Sequence, residues 1–249
     1  MVVAFSNGLS KEKWNAGLIA KKKEPLIGSY VLIIGPTASG KTALAMKLAE
    51  KFKGEIVNCD SIQLYKGFNI GAAKPTAQDK KAIPHHLYDI LECDQTYDAS
   101  QYALVARKTI NRINQQGKLP FVVGGTGLYI RALIGEQFHD LPHSPELRKE
   151  IQNMSEKLLH QSLQKKDPDR YKRIHYNDRF RLERALEIVT LSGKTFAELT
   201  DSTVLNKANP ICTVYCNPKT SELHQKIATR TIQMILSGLI QEVRDLLEL

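Results

Sequence analysis

Tyr30-Val31-Leu32-Ile33-Ile34-Gly35-Pro36-Thr37-Ala38-Ser39-Gly40-Lys41-Thr42 is the stretch on which the fold class turns. Its first half, Tyr30–Gly35, is an apolar run rich in Val and Ile that stops at Gly35-Pro36, as a buried strand does. Its second half fits G-x-x-x-x-G-K-[ST]. It opens into Lys41–Phe52, where Leu44, Ala45, Leu48 and Ala49 recur at helical spacing. A strand, a glycine loop and a helix in that order is the setting in which this motif holds phosphate. The glycines let backbone N–H groups turn toward phosphate oxygens, and the helix N-terminus adds positive potential. The predicted cradle is Gly35, Thr37, Ala38, Ser39, Gly40, Lys41 and Thr42. Lys41 brings a mobile charge, and the Thr42 hydroxyl is the candidate ligand for Mg2+. The motif specifies a di- or triphosphate and does not name the reaction.

Outward from the loop, strand and helix patterns alternate. Glu55–Cys59 reads as a second strand, Ser100–Gln116 as a helix stopped by Gly117, and Leu119–Val123 as a third strand closed by Gly124-Gly125. This predicts an α/β fold, a P-loop NTPase-like doubly wound parallel sheet, over residues 30–138. From 139 to 203 the pattern is helical only. Asp167-Pro168 and Asn177-Asp178 read as helix starts and Gly193 as a stop, so an inserted helical domain is expected there. Residues 204–249 return to the core with a strand at Ile211–Cys216 and a helix from Ser221 interrupted at Gly238. Residues 1–29, with Lys21-Lys22-Lys23 and little periodicity, read as a disordered leader that lacks the apolar core of a signal peptide.

The 249 residues carry 35 Lys and Arg against 26 Asp and Glu, a formal charge of +9, which favours an anionic partner. No apolar stretch approaches the roughly 18 residues of a bilayer span, so no membrane role is expected. Cys59, Cys93, Cys212 and Cys216 form no C-x-x-C pair. Cys212 and Cys216 sit about 13 Å apart along a strand, too far to share one zinc, so reduced thiols of a cytoplasmic protein are expected. The strand Leu119–Val123 ends without the carboxylate that an ATPase offers to Mg2+. Asp60 instead follows the strand Glu55–Cys59 on the side where open sheets bind ligands. It reads as a metal ligand, a general base, a hydrogen-bond acceptor or a turn cap.

Taken together, the motifs resemble those of tRNA dimethylallyltransferases. The matching stretches are GPTASGKTALA (35–45), DSIQLY (60–65), GAAKP (71–75), IPHHL (83–87), GGTGLY (124–129), RIHYND (173–178), RALE (184–187) and RTIQMILSGLIQEV (230–243). The P-loop alone is shared widely; the ordered set is specific. The resemblance implies that the loop holds the diphosphate of dimethylallyl diphosphate. The prenyl group then passes to N6 of the adenosine beside the anticodon of tRNA, flipped out of its loop. The family's general base falls on Asp60, and Thr126 and Arg230 fall on catalytic and diphosphate-contacting positions. Ser61, Gln63 and Tyr65, with His85 and His86, are implied to line the acceptor channel. The inserted domain is implied to hold the anticodon stem-loop through Arg173, Arg179 and Arg181. These lie in a segment, 170–184, that also carries Arg170, Lys172 and Arg184 among Tyr171, Tyr176 and Phe180, suited to phosphate contact and base stacking. The alternative is a solvated helix face with Phe180 in the core. A monomer is expected.

Two departures stand out. Gly71-Ala72-Ala73 replaces the commoner GTA, and the family usually continues beyond the position of Leu249 with further helices, a Gly-Tyr-Arg motif and a basic segment. Three alternatives accompany the tRNA reading: an adenylate isopentenyltransferase acting on free nucleotide, a P-loop small-molecule kinase, and a truncated tRNA-binding form without catalysis.

Overall fold

The computed structural model describes residues 2–4, 28–135, 142–200 and 210–248, which fall into two compact units, 1–136 with 207–249 and 137–206. In the first unit, strands β1 (Val2–Ala4), β2 (Val31–Ile34), β3 (Glu55–Cys59), β4 (His85–His86), β5 (Pro120–Gly124) and β6 (Cys212–Tyr215) form one sheet in the order β1-β6-β2-β5-β3-β4. The pairs β6-β2, β2-β5, β5-β3 and β3-β4 are parallel, so the P-loop strand lies inside the sheet, between β6 and β5. β1, within the segment read as a disordered leader, instead pairs antiparallel with β6, Val2 opposite Tyr215. The rest of that leader, 5–27, lies outside the described residues.

Both faces of the sheet are covered, which is why its strands read as continuous apolar runs. On one face Val31, Ile33, Ile56, Phe121, Val123, Cys212 and Val214 pack against Ala45 and Ala49 of α1 (Lys41–Lys51). The alternate residues Leu32, Val57 and Val122 are equally buried. The opposite face is covered by α3 (Ala99–Gln115), which follows the short α2 (Ala77–Ala82) and buries Tyr102, Ala103, Ala106, Ile110 and Ile113. A capping box starts α3: the Asp98 side chain accepts from the Gln101 N–H, and the Gln101 side chain accepts from the Asp98 N–H. The helix α4 (Gly127–Leu133) follows β5, and Arg107 of α3 donates to the Ala132 and Leu133 carbonyls at its end.

The second unit is helical throughout its described residues: α5 (Pro145–Gln152), α6 (Glu156–Lys166), α7 (Pro168–Arg173), α8 (Arg179–Ser192) and α9 (Phe196–Thr200). Ile151, Leu159, Leu163, Ile174, Leu182, Ala185, Leu186 and Val189 form its core. Asp167 ends α6 and caps α7 through the Arg170 N–H, and Asp178 caps α8 through the Arg181 N–H. Glu187, with its side chain 1% exposed, accepts from Arg184 (2.7 Å) and the Ser144 N–H (3.0 Å) and pairs with His143 (2.7 Å). Burial raises its carboxyl, but these partners outweigh burial and hold it below the ordinary 4.5. A depressed carboxylate stabilises the fold above its unfolded pKa, and that contribution is lost as pH falls through the folded value. Glu187→Ala is expected to cost this unit about 1–3 kcal/mol at neutral pH, since Arg184, His143 and the Ser144 N–H lose their shared acceptor. Its loss should also shrink the difference in melting temperature between pH 7 and pH 4.

The chain closes with α10 (Thr220–Leu236) and α11 (Leu239–Leu247), separated at Gly238, where the sequence predicts an interruption. No helix among the described residues is long and apolar enough to cross a membrane.

Candidate active site

The loop after β2 is shaped by close approach. A Cβ on Gly35 would lie 2.5 Å from the Cys216 carbonyl oxygen and 2.9 Å from Ser39 Oγ. Only glycine lets the loop pass there. Ala38 holds a left-handed backbone at φ 61° without being glycine, a conformation that costs about 1–2 kcal/mol and is held here by its neighbours. The α1 N-terminus has no side-chain cap, so its first-turn N–H groups remain open, as an anion site requires. The Ser39 hydroxyl oxygen is buried with no hydrogen-bond partner among the described residues. A buried orphan of this kind fits a phosphate oxygen as its missing partner. Lys41 folds back and donates to the Gly35 (2.9 Å) and Pro36 (2.8 Å) carbonyls. Thr42 lies exposed on the first turn of α1.

Lys41 links the loop to the other candidates. Burial pushes its ammonium below the ordinary lysine range, Asp60 and Cys216 oppose that, and Arg230 adds to it. Asp60 and Arg230 therefore act on the same charge, although they lie 170 residues apart in sequence. Arg230 reaches this neighbourhood from α10. Asp60 projects from the turn after β3, with its N–H donated to Asn58 Oδ1 (2.9 Å) and its own Oδ1 accepting from the Ile62 N–H (2.9 Å). It caps its turn with one carboxylate oxygen, so the turn role and a chemical role are compatible. Asn58 is locked in turn by the Leu87 carbonyl (2.9 Å) and by Tyr102, whose hydroxyl donates to the Asn58 carbonyl (2.8 Å).

Thr126 joins the ends of β3 and β5. Its hydroxyl oxygen accepts from the Ser61 N–H (3.0 Å) and its O–H donates to Ser61 Oγ (3.4 Å). The two strand ends meet so tightly that a Cβ on Gly124 would lie 1.9 Å from the Cys59 carbonyl oxygen. Gln63 donates its amide to Ala72 O (2.9 Å) and Ala73 O (3.4 Å), while Tyr65 bridges to Leu91 and packs edge-on to Phe68. Burial drives the Cys59 thiol up to about 12, and burial also raises Cys216, so neither offers a thiolate at neutral pH.

His85 and His86 depart from the expected acceptor channel. They pair in register with Ile56 and Val57, toward the end of β3 opposite Asp60. His86 Nε2 contacts Glu55 (2.6 Å) and its Nδ1 faces Arg112 (3.2 Å), while Glu55 also accepts from Lys118 (2.5 Å). Adjacent histidines on a strand point to opposite faces, His85 toward Tyr88 and His86 toward Glu55.

The basic segment of the second unit divides. Arg170 stacks on Phe196 at 4.0 Å, Arg184 holds Glu187 and the Pro142 carbonyl, and Arg179 donates to Glu183, Gln152 O and Met154 O. These three hold the helices together. Lys172, Arg173 and Arg181 are exposed, and Arg181 pairs with Asp178 at the surface. Phe180 is not in the core: it is 67% exposed, with Arg148 5.2 Å above its ring.

The family model for IPP transferase matches residues 63–249. The tRNA dimethylallyltransferase of Anoxybacillus flavithermus is 40% identical over 219 residues, 88% of this chain and 70% of that one. The enzyme of the same name from Pelotomaculum thermopropionicum is 41% identical over 91% of this chain and 72% of its own length. Among solved structures, a eukaryotic dimethylallyltransferase acting on tRNA superposes with TM-score 0.78 at 29% identity, covering 88% of this chain and 56% of that one. The tRNA isopentenylpyrophosphate transferase of Bacillus halodurans superposes with TM-score 0.59 at 34% identity, covering 89% and 70%. With these likenesses over most of its length, the chain belongs to the tRNA dimethylallyltransferase family.

Proposed function

We propose that this chain transfers the dimethylallyl group of dimethylallyl diphosphate to N6 of the adenosine beside the tRNA anticodon, releasing diphosphate. The observation that carries this reading is the uncapped loop after β2, with its buried orphan Ser39 hydroxyl and the Lys41 ammonium folded onto it, in a chain of this family. An N6–carbon bond forms as the carbon–oxygen bond to diphosphate breaks, and the leaving oxygen keeps the electron pair. The N6 lone pair is delocalised into the ring, so the amine needs a carboxylate to orient it and accept its proton; Asp60 takes that role. Lys41, Arg230 and the loop N–H groups meet the charge growing on the diphosphate. Thr126 positions Ser61 and with it the Asp60 turn.

Thr42 provides a hard oxygen suited to Mg2+. Among the described residues no three His, Cys, Asp or Glu side chains gather into a metal cluster, so diphosphate oxygens and water would complete its shell. When bound, the ion supplies further charge to the departing diphosphate.

In the second unit, Arg173 and Arg181 are exposed arginines in the segment that also exposes the rings of Phe180 and Tyr176. We assign them to RNA phosphates. Arg173→Ala and Arg181→Ala should each weaken tRNA binding and lower the salt slope by about 1, leaving the melting temperature unchanged. Arg179→Ala should do the reverse first, costing about 1–3 kcal/mol of stability by stranding two carbonyls and Glu183. Binding isotherms at several salt concentrations, with melting curves, separate the two classes.

The function itself is tested with labelled dimethylallyl diphosphate, Mg2+ and either unmodified tRNA or free AMP. Label on tRNA alone is expected. Label on AMP moves the protein to the free-nucleotide alternative, and tRNA binding without label in either tube contradicts catalysis.

A further inference from the structure

Two stretches that carry the family resemblance, 71–75 and the end of 230–243, have no part in the chemistry above, and in the structure they meet. Glu242, on α11, accepts three backbone N–H groups with one carboxylate: Asn69 (2.8 Å) and Ile70 (2.7 Å) on Oε2, and Gly71 (2.9 Å) on Oε1. Three successive N–H groups converging on one anion form a nest, here filled by a side chain 171 or more residues away in sequence. Charge-assisted bonds of this kind are stronger than neutral ones.

Among the described residues, burial does little to fix that end of the chain. Neither α10 nor α11 has a buried residue, and Ile232, Ile235, Leu236, Val243 and Leu247 are exposed. The apolar help is local: Leu239 reaches Gly71 and Leu246 reaches Gly67, where added Cβ atoms would lie 3.2 Å and 2.7 Å from them. The gripped loop is itself part of the acceptor side. Gln63 donates to Ala72 O and Ala73 O, and the ammonium of Lys74, its side chain 2% exposed, holds the Tyr65 carbonyl and Asp89 (2.6 Å). The other end of the arm carries Arg230, one of the charges acting on Lys41.

We propose that Glu242 is a positioning residue for prenyl transfer: its grip on the 69–71 nest locks the helical arm that carries Arg230 to the loop that carries Gln63. The donor and acceptor sides are thereby held by one carboxylate. The inference rests on the prenyl-transfer reading for its consequence in turnover, but not for its effect on anion binding.

The test is a double-mutant cycle on the full chain, read by calorimetric binding of inorganic diphosphate with Mg2+. Arg230→Ala is expected to raise Kd about tenfold, the loss of one charge-assisted bond. Glu242→Ala should raise it several-fold, and the double variant should bind no worse than Arg230→Ala alone, because Glu242 acts through Arg230. Glu242→Gln keeps acceptor oxygen at the nest and should fall between wild type and Glu242→Ala; it stands in if the alanine variant does not fold. Losses that multiply in the double variant, or unchanged Kd in Glu242→Ala, overturn the proposal. A wild-type chain that binds diphosphate but prenylates nothing defeats the functional reading and leaves the cycle interpretable.

Discussion

Asp60→Ala is expected to lower kcat for prenyl transfer by about 100- to 10,000-fold, the range of general-base catalysis, while tRNA and diphosphate affinity hold within about twofold. The reasoning is geometric. Asp60 accepts from the Ile62 N–H through one carboxylate oxygen and donates its own backbone N–H to Asn58 Oδ1. The rest of the turn is held by Asn58, Tyr102 and the Thr126–Ser61 pair, so it survives loss of the carboxylate. Asp60→Asn, which keeps the turn acceptor but not the base, should be nearly as slow as the alanine variant. Single-turnover rates with saturating tRNA decide the matter. Near-normal turnover in Asp60→Asn would remove the base assignment.

Lys41→Ala is expected to reduce kcat/KM for dimethylallyl diphosphate by about 100-fold, as loss of one preorganised charge at a leaving group does. Arginine should not restore it, because a planar guanidinium does not fit where the ammonium now lies against the Gly35 and Pro36 carbonyls. The site also has a pH signature. Burial depresses the Lys41 pKa, so the charge that binds diphosphate is present at low pH and is lost as pH rises through a value below that of an ordinary lysine. Donor affinity should decline on the alkaline side before free lysine would titrate, and that limb should vanish in Lys41→Ala. Titrations of Kd against pH for the two proteins provide the check.

The sheet was legible because its strands are buried on both faces: Val31–Ile34 and Pro120–Gly124 are apolar runs that end in Gly, and Glu55–Cys59, although it carries Glu55 and Asn58, stops at Asp60. Gly193 and Gly238 marked helix ends for a similar local reason, both having positive φ. The elements that escaped are short or held from a distance. The two-residue β4 exists only through pairing with β3, and α2 spans six residues behind a Thr76–Asp79 capping box that uses Asp in place of the usual Glu or Gln. The candidate site divides in the same way. The loop and Asp60 are marked by local sequence, while Arg230 and Glu242 depend on contacts across the fold that no spacing encodes. Among the basic residues of 170–184, helical spacing marks the Arg179–Glu183 and Arg184–Glu187 pairs but not the contacts to other segments that make Arg170, Arg179 and Arg184 structural. Their partners, Phe196, Gln152 and Pro142, belong to other segments.

The most direct test of prenyl transfer follows both halves of the donor. Dimethylallyl diphosphate labelled with carbon-14 in the prenyl group and phosphorus-32 in the diphosphate is incubated with the chain, Mg2+ and unmodified tRNA. One carbon label per modified adenosine should appear in the RNA, with an equal amount of phosphorus label released as inorganic diphosphate. Phosphorus label in the RNA, or release of diphosphate without carbon transfer, would contradict it.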